Sequence, residues 1–134
     1  MNVHGDWLIR GPISGEVLRL GEPISFWGGF DAATGRIIDR THPQHGESLA
    51  GKVVVMPGSR GSSGTPGVMG DALRRGTGPA ALIITKSDIN LVAGAMAAEA
   101  LYGASCPVLL VDRAVFDTLH TGGQMTVEPT EEER

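Results

Sequence analysis

The run Gly58-Ser59-Arg60-Gly61-Ser62-Ser63-Gly64-Thr65-Pro66-Gly67 gathers serine hydroxyls around a single guanidinium. It follows the apolar run Val53–Met56 and leads into a segment with helical spacing. A strand that breaks into a glycine- and serine-rich turn and then opens a helix exposes unpaired backbone N–H groups. The helix dipole favours negative charge at the same place. Serine is a poor base or nucleophile until a local positive field eases its deprotonation, and Arg60 with the helix start would supply such a field. The chemistry suggested is therefore anion binding, serine activation, or both.

Other patterns compete for these residues. A P-loop ends in Gly-Lys-Ser/Thr, whereas Arg60-Gly61 precede Ser62 in the wrong order and no lysine follows. The dinucleotide fingerprint G-x-G-x-x-G is also absent from the turn. A Ser-His-Asp hydrolase would draw its base from His42, His45 or His120. Its nucleophile elbow needs G-x-S-x-G, which Gly61-Ser62-Ser63-Gly64 misses by one residue. A glycine-rich turn also serves as a plain connector. His42-Pro43-Gln44-His45-Gly46-Glu47 invites a metal, but Pro43 and Gly46 oppose the helix that would align two imidazoles, and a third ligand is not obvious. The plainer expectation there is a polar loop with partly exposed histidines. Cys106, just before Pro107, reads as a small buried side chain. Phe26 and Trp27, beside Gly28-Gly29, are either core or an apolar patch for a partner chain.

The elements that must hold the turn alternate along the chain. The first half reads as β, with runs at Trp7–Arg10 and Gly15–Leu20 separated by the Gly11-Pro12 turn signal. Val17, Leu18 and Leu20 do not alternate strictly, which fits a bulge or burial on two sides. Pro23–Trp27 is a third candidate strand, and Arg36–Asp39 a small one after the turn Ala33-Thr34-Gly35. β-Hairpins are expected in this half. The second half alternates strand and helix. Val53–Met56 is a strand, and a helix over 66–75 starts with Thr65 as N-cap and Pro66 in its first turn, and closes at Gly76. Val68, Met69, Ala72 and Leu73 share one of its faces. Ala80–Thr85 is a buried strand. Ser87 is the expected cap of a helix over 88–101 with the apolar stripe Ile89, Val92, Met96 and Ala100, and Gly94 marks a weak point in it. Pro107–Val111 is a further strand, 113–120 a short helix and Met125–Val127 an edge strand. Continuous apolar strands alternating with helices indicate an α/β sheet covered by helices. One domain over 1–128 is expected, with an acidic, flexible tail over 129–134.

Composition excludes several classes. A chain of 134 residues buries roughly two-thirds of its unfolded surface, enough for one core. A formal net charge of -4 leaves no basic footprint for nucleic acid. There is no basic amphipathic helix for a membrane surface and no apolar run of about 18 residues to cross one. The amino terminus lacks the charged and apolar regions of a signal peptide, so a cytoplasmic setting is expected. Cys106 is the only cysteine, too few for a disulfide within the chain or to hold an iron–sulfur cluster unaided.

The ordered set Phe26-Trp27-Gly28-Gly29-Phe30-Asp31, Thr34–Asp39, His42-Pro43, His45-Gly46 and Arg60-Gly61-Ser62-Ser63, continued by Gly78–Ile83 and Pro107-Val108-Leu109, resembles the small subunit of aconitase X. The resemblance runs from about Gly11 to Asp112. It implies the swivelling β/β/α domain of the aconitase superfamily, paired with a large subunit that carries the iron–sulfur cluster. Members are dehydratases, the bacterial ones acting on cis-3-hydroxy-L-proline to give Δ1-pyrroline-2-carboxylate and the archaeal ones on mevalonate 5-phosphate. The Arg-Gly-Ser-Ser form with Phe-Trp-Gly-Gly upstream is closer to the bacterial type, while Gly64-Thr65 departs from a serine-rich continuation. The resemblance makes Ser62 the proton acceptor. Arg60, Gly61 and Ser63 would then contact substrate, with Arg60 and the following backbone amides steadying the alkoxide or the substrate carboxylate. Loss of the β-hydroxyl needs a Lewis acid, which the partner's iron would provide. The expected partner docks through the Phe26–Gly46 face. A non-catalytic module that binds an anion at 58–67 and regulates a partner is the competing expectation.

Overall fold

The computed structural model describes residues 3–59 and 64–129. Its strands and helices follow in the order β1 (Asp6–Ile9), β2 (Ile13–Arg19), α1 (Phe26–Gly29), β3 (Phe30–Asp31), β4 (Arg36–Ile37), β5 (Val53–Val55), α2 (Thr65–Arg75), β6 (Ala81–Ile84), α3 (Ile89–Tyr102), β7 (Val108–Leu110), α4 (Arg113–Phe116) and β8 (Gln124–Val127). Six strands form one sheet in the order β1-β7-β6-β5-β2-β8. The inner four, β2, β5, β6 and β7, are mutually parallel, while β1 on β7 and β8 on β2 are antiparallel edges. The separate pair β3–β4 closes over the turn at 32–35.

Parallel strands covered on both faces explain the continuous apolar runs. Along β5, Val54 belongs to the core under α2 and α3, whereas Val53 and Val55 face the opposite core with α4. The same division separates Leu18 from Val17 on β2, so the broken alternation there is burial on two sides. The expected hairpin between the first two runs does not form. β1 and β2 lie toward opposite ends of the sheet, β1 paired antiparallel to β7 and β2 parallel to β5.

The Pro23–Trp27 segment is not a strand. Ser25 Oγ donates to the Trp27 carbonyl at 2.8 Å, and the chain makes a single irregular turn with Gly28 left-handed at φ 89°. This turn sends Phe26 fully inward, edge-to-face with Phe30 at 5.3 Å, and leaves Trp27 outside. The adjoining 38–47 loop is pinned to the end of β2. Gln44 Oε1 accepts from the Gly21 N–H at 3.0 Å, and Gln44 Nε2 donates to the Arg19 carbonyl at 3.3 Å.

α2 begins one residue early, at Thr65, and Gly64 takes the N-cap position instead of Thr65. Its C-terminus ends as expected at left-handed Gly76, whose N–H reaches the Ala72 and Leu73 carbonyls. In α3 the cap is Asp88 rather than Ser87. The helix is unbroken at Gly94, and its buried face is Leu91, Gly94, Ala95 and Ala98. Of the expected stripe, Ile89, Met96 and Ala100 point to solvent, whereas Val92 is half-buried and packs on the core. Gly94 is the reason: a Cβ there would lie 3.0 Å from Met69 Cβ, Pro66 Cα and the Pro66 carbonyl oxygen. The small-residue side of α3 therefore packs on α2, because only that side allows so close an approach.

Candidate functional site

The residues expected to do chemistry, Arg60, Gly61, Ser62 and Ser63, lie outside the described residues. The structure instead shows how the chain on either side of them is held. The segment leaves β5 through Pro57 and Gly58, and Ser59 is bound by one carboxylate. Asp88 Oδ2 accepts from the Ser59 N–H at 2.9 Å and from Ser59 Oγ at 2.7 Å. Its second oxygen, Oδ1, accepts from the Asn90 and Leu91 N–H groups at 3.2 Å each and so caps α3. A single side chain thus ties the start of the turn to the start of a helix. Ser59 is thereby an anchor rather than a free hydroxyl near Arg60.

On the far side, Gly64 sits under Trp27. A Cβ at Gly64 would come within 2.7 Å of Trp27 Cε3 and 2.8 Å of Cδ2. Only glycine lets the indole lie this close to the backbone, which explains a residue where a serine was expected. Trp27 remains 66% exposed while Phe26 is fully buried, so the two neighbouring aromatics divide between surface and core. Thr65 Oγ1 is buried and has no hydrogen-bond partner among the described residues.

The other candidates resolve plainly. His42 is buried, against the expectation of partial exposure. Its Nδ1 accepts from the Gln44 N–H at 3.0 Å, so the neutral ring carries its proton on Nε2, which donates to the Glu22 carbonyl at 2.9 Å. With both ring nitrogens engaged, His42 serves neither as triad base nor as metal ligand. His45 and His120 are exposed. Among the described residues no three His, Cys, Asp or Glu side chains gather to hold a metal. Cys106 is buried, and desolvation pushes its thiol up to about 12. A cluster ligand must be a thiolate, so this chain's residues do not fit an iron–sulfur group.

Sequence reasoning missed Asp88 as the anchor of Ser59. An Asp before an apolar helical run is a readable cap signal, but its bond to Ser59, 29 positions earlier, is long-range.

The model of the aconitase X swivel domain matches residues 2–133. The chain belongs to this family. The aconitase X of Thermococcus kodakaraensis superposes with a TM-score of 0.82 at 27% identity, covering 94% of this chain and 90% of that one. A small subunit of phosphomevalonate dehydratase from Methanothermobacter thermautotrophicus is 43% identical over 98 residues, 73% of this chain and 75% of the relative. A cis-3-hydroxy-L-proline dehydratase from Pseudomonas aeruginosa is 40% identical over 101 residues, 75% of this chain. The matched part spans only 17% of that relative's length. Among the described residues, no helix of the swivel domain is long and apolar enough to cross a membrane.

Proposed function

We propose that this chain is the swivel-domain component of an aconitase X dehydratase and that its substrate is cis-3-hydroxy-L-proline. The family match over nearly the whole chain carries the proposal. It is supported by the clamp of Asp88 on Ser59 and of Trp27 on Gly64, which brackets the serine-bearing segment from both ends. Ser62 takes the proton from the carbon α to the carboxylate. The electron pair of that C–H bond forms the ring double bond as the β C–O bond breaks; the leaving hydroxide takes up a proton from solvent and departs as water, and Ser62 returns its proton to solvent to restore the base. The resulting enamine tautomerises to Δ1-pyrroline-2-carboxylate. Arg60, with the backbone amides of Gly61 and Ser63, holds the substrate carboxylate and steadies the Ser62 alkoxide. The iron–sulfur cluster is assigned to a large subunit, since the thiol of Cys106 is buried and protonated.

Mevalonate 5-phosphate is the second reading. It is favoured by similarity to a phosphomevalonate dehydratase small subunit, of which this chain covers 75%. The test is to co-purify the chain with its large subunit and follow water loss from both substrates. Turnover of hydroxyproline alone supports the first reading, and turnover of the phosphate ester alone replaces it with the second. Activity of this chain without a large subunit would overturn the division of labour. A stable anion-binding monomer that takes no large subunit would favour a regulatory module.

A further inference from the structure

α3 carries no basic residue and only one acid, Glu99, and it is apolar on both sides. A helix of that composition is normally buried all round. Here only the Leu91–Gly94–Ala95–Ala98 side is covered, by α2 and the sheet. On the opposite side Ile89, Ala93, Met96 and Ala100, spaced i, i+4, i+7 and i+11, form a continuous exposed stripe, with Ile89 80% and Met96 57% exposed. Beside it, Leu8, Ile9 and Arg10 line one wall of a cleft of about 380 Å³ whose other wall is Met96, Glu99 and Ala100, an apolar floor with one charge of each sign at its sides.

We infer that this outward face of α3 is a docking surface for the larger body of the enzyme. The inference rests on the proposed role of the chain as one component of a dehydratase. Two observations select that occupant. The P. aeruginosa relative continues far beyond the matched 17% of its length, so its swivel domain has a much larger body of polypeptide to meet. The stripe also begins at the reactive segment, because Ile89 directly follows Asp88, which holds Ser59. A partner that contacts Ser59 meets Ile89 beside it, and one that contacts Gly64 meets the exposed Trp27. The expected contact through residues 26–46 and the α3 stripe then form two flanks of one interface. The cleft between β1 and α3 receives an apolar side chain from the partner.

The test uses the full chain co-purified with its large subunit. Met96→Glu, alone and with Ile89→Lys, is compared with the control Gln124→Lys on the exposed edge of β8. The dissociation constant of the complex and the thermal midpoint of the isolated chain are both measured. Met96→Glu is expected to weaken association by about 30-fold or more, as for an interface hot spot, with an unchanged midpoint and an unaffected control. Association within about threefold of wild type would overturn the proposal, since burying a new charge against the partner costs more than that even with Arg10 in the same cleft. A self-associating isolated chain that Met96→Glu renders monomeric, with large-subunit binding intact, would overturn it in favour of a second copy. If the wild-type chain takes no large subunit, the proposed function fails along with it. A fully active complex that tolerates Met96→Glu removes the docking surface alone.

Discussion

Asp88 performs two tasks with two oxygens, and a pair of substitutions separates them. Asp88→Ala removes the cap on α3, worth about 1 kcal/mol. It also removes the two bonds to Ser59, and hydrogen bonds to a charged group contribute about 1.5–3 kcal/mol. Because Ser59 and Asp88 are only partly buried, water replaces some of this, and a total loss of about 2–3 kcal/mol is expected. For a chain of this size that corresponds to a fall of roughly 10 °C in thermal midpoint. Asn caps helices about as well as Asp. In Asp88→Asn the amide oxygen keeps the bonds to Asn90 and Leu91, while the NH2 group meets the Ser59 N–H, donor against donor, and is left only the Ser59 Oγ to donate to. That variant should lose only about 1 kcal/mol of stability, and the Ser59 anchor goes with it. Misplacing a reacting group by about 1 Å costs up to about 100-fold, so turnover of the reconstituted complex should fall by about 10- to 100-fold in both variants. Chemical unfolding of the isolated chain and steady-state turnover of the complex measure the two effects. An Asp88→Asn enzyme with wild-type turnover would refute the claim that this carboxylate positions the reactive segment.

Two further outcomes follow from the packing. Gly94→Ala gains about 1 kcal/mol of helix propensity but drives a methyl to 3.0 Å from Met69 and Pro66. Overpacking costs about 1–3 kcal/mol, so urea unfolding should show net destabilisation by about 1 kcal/mol, and a stabilised variant would contradict the close approach of α2 and α3. Cys106 should resist alkylation at pH 8 in the folded chain and react on unfolding. Burial pushes its folded thiol up to about 12 from the usual 9.0, so the unfolded chain releases this proton first. Stability is independent of this group below pH 9 and declines as pH rises from 9 toward 12, which pH-dependent unfolding would show.

The sheet and its helices were legible in the sequence wherever burial left a one-dimensional trace. β5 and β6 read as continuous apolar runs because both of their faces are covered. The end of α2 was written in Gly76. What failed to show were effects of partners distant in sequence. α3 has two apolar sides, and periodicity cannot say which one packs. The decision came from Gly94, where Pro66 and Met69 approach too closely for any side chain. Phe26-Trp27 has the residue types of a strand, yet Gly28 and the Ser25 bond turn it into a bend. His42 looked like an exposed loop residue because its partners, the Glu22 carbonyl and the Gln44 N–H, create its burial. The serine-rich turn was conspicuous from composition alone. Its anchor at Asp88 was not, since that bond joins two separate strand-to-helix connections.

The most direct test of the account compares Ser62→Ala with wild type in the complex with the large subunit, at equal assembly, following loss of water from cis-3-hydroxy-L-proline. If Ser62 is the base, association is retained while turnover falls by about 10²- to 10⁴-fold, the usual contribution of a positioned proton acceptor. Turnover near that of the wild type, in a fully assembled complex, would contradict the central claim and move the proton transfer to another residue.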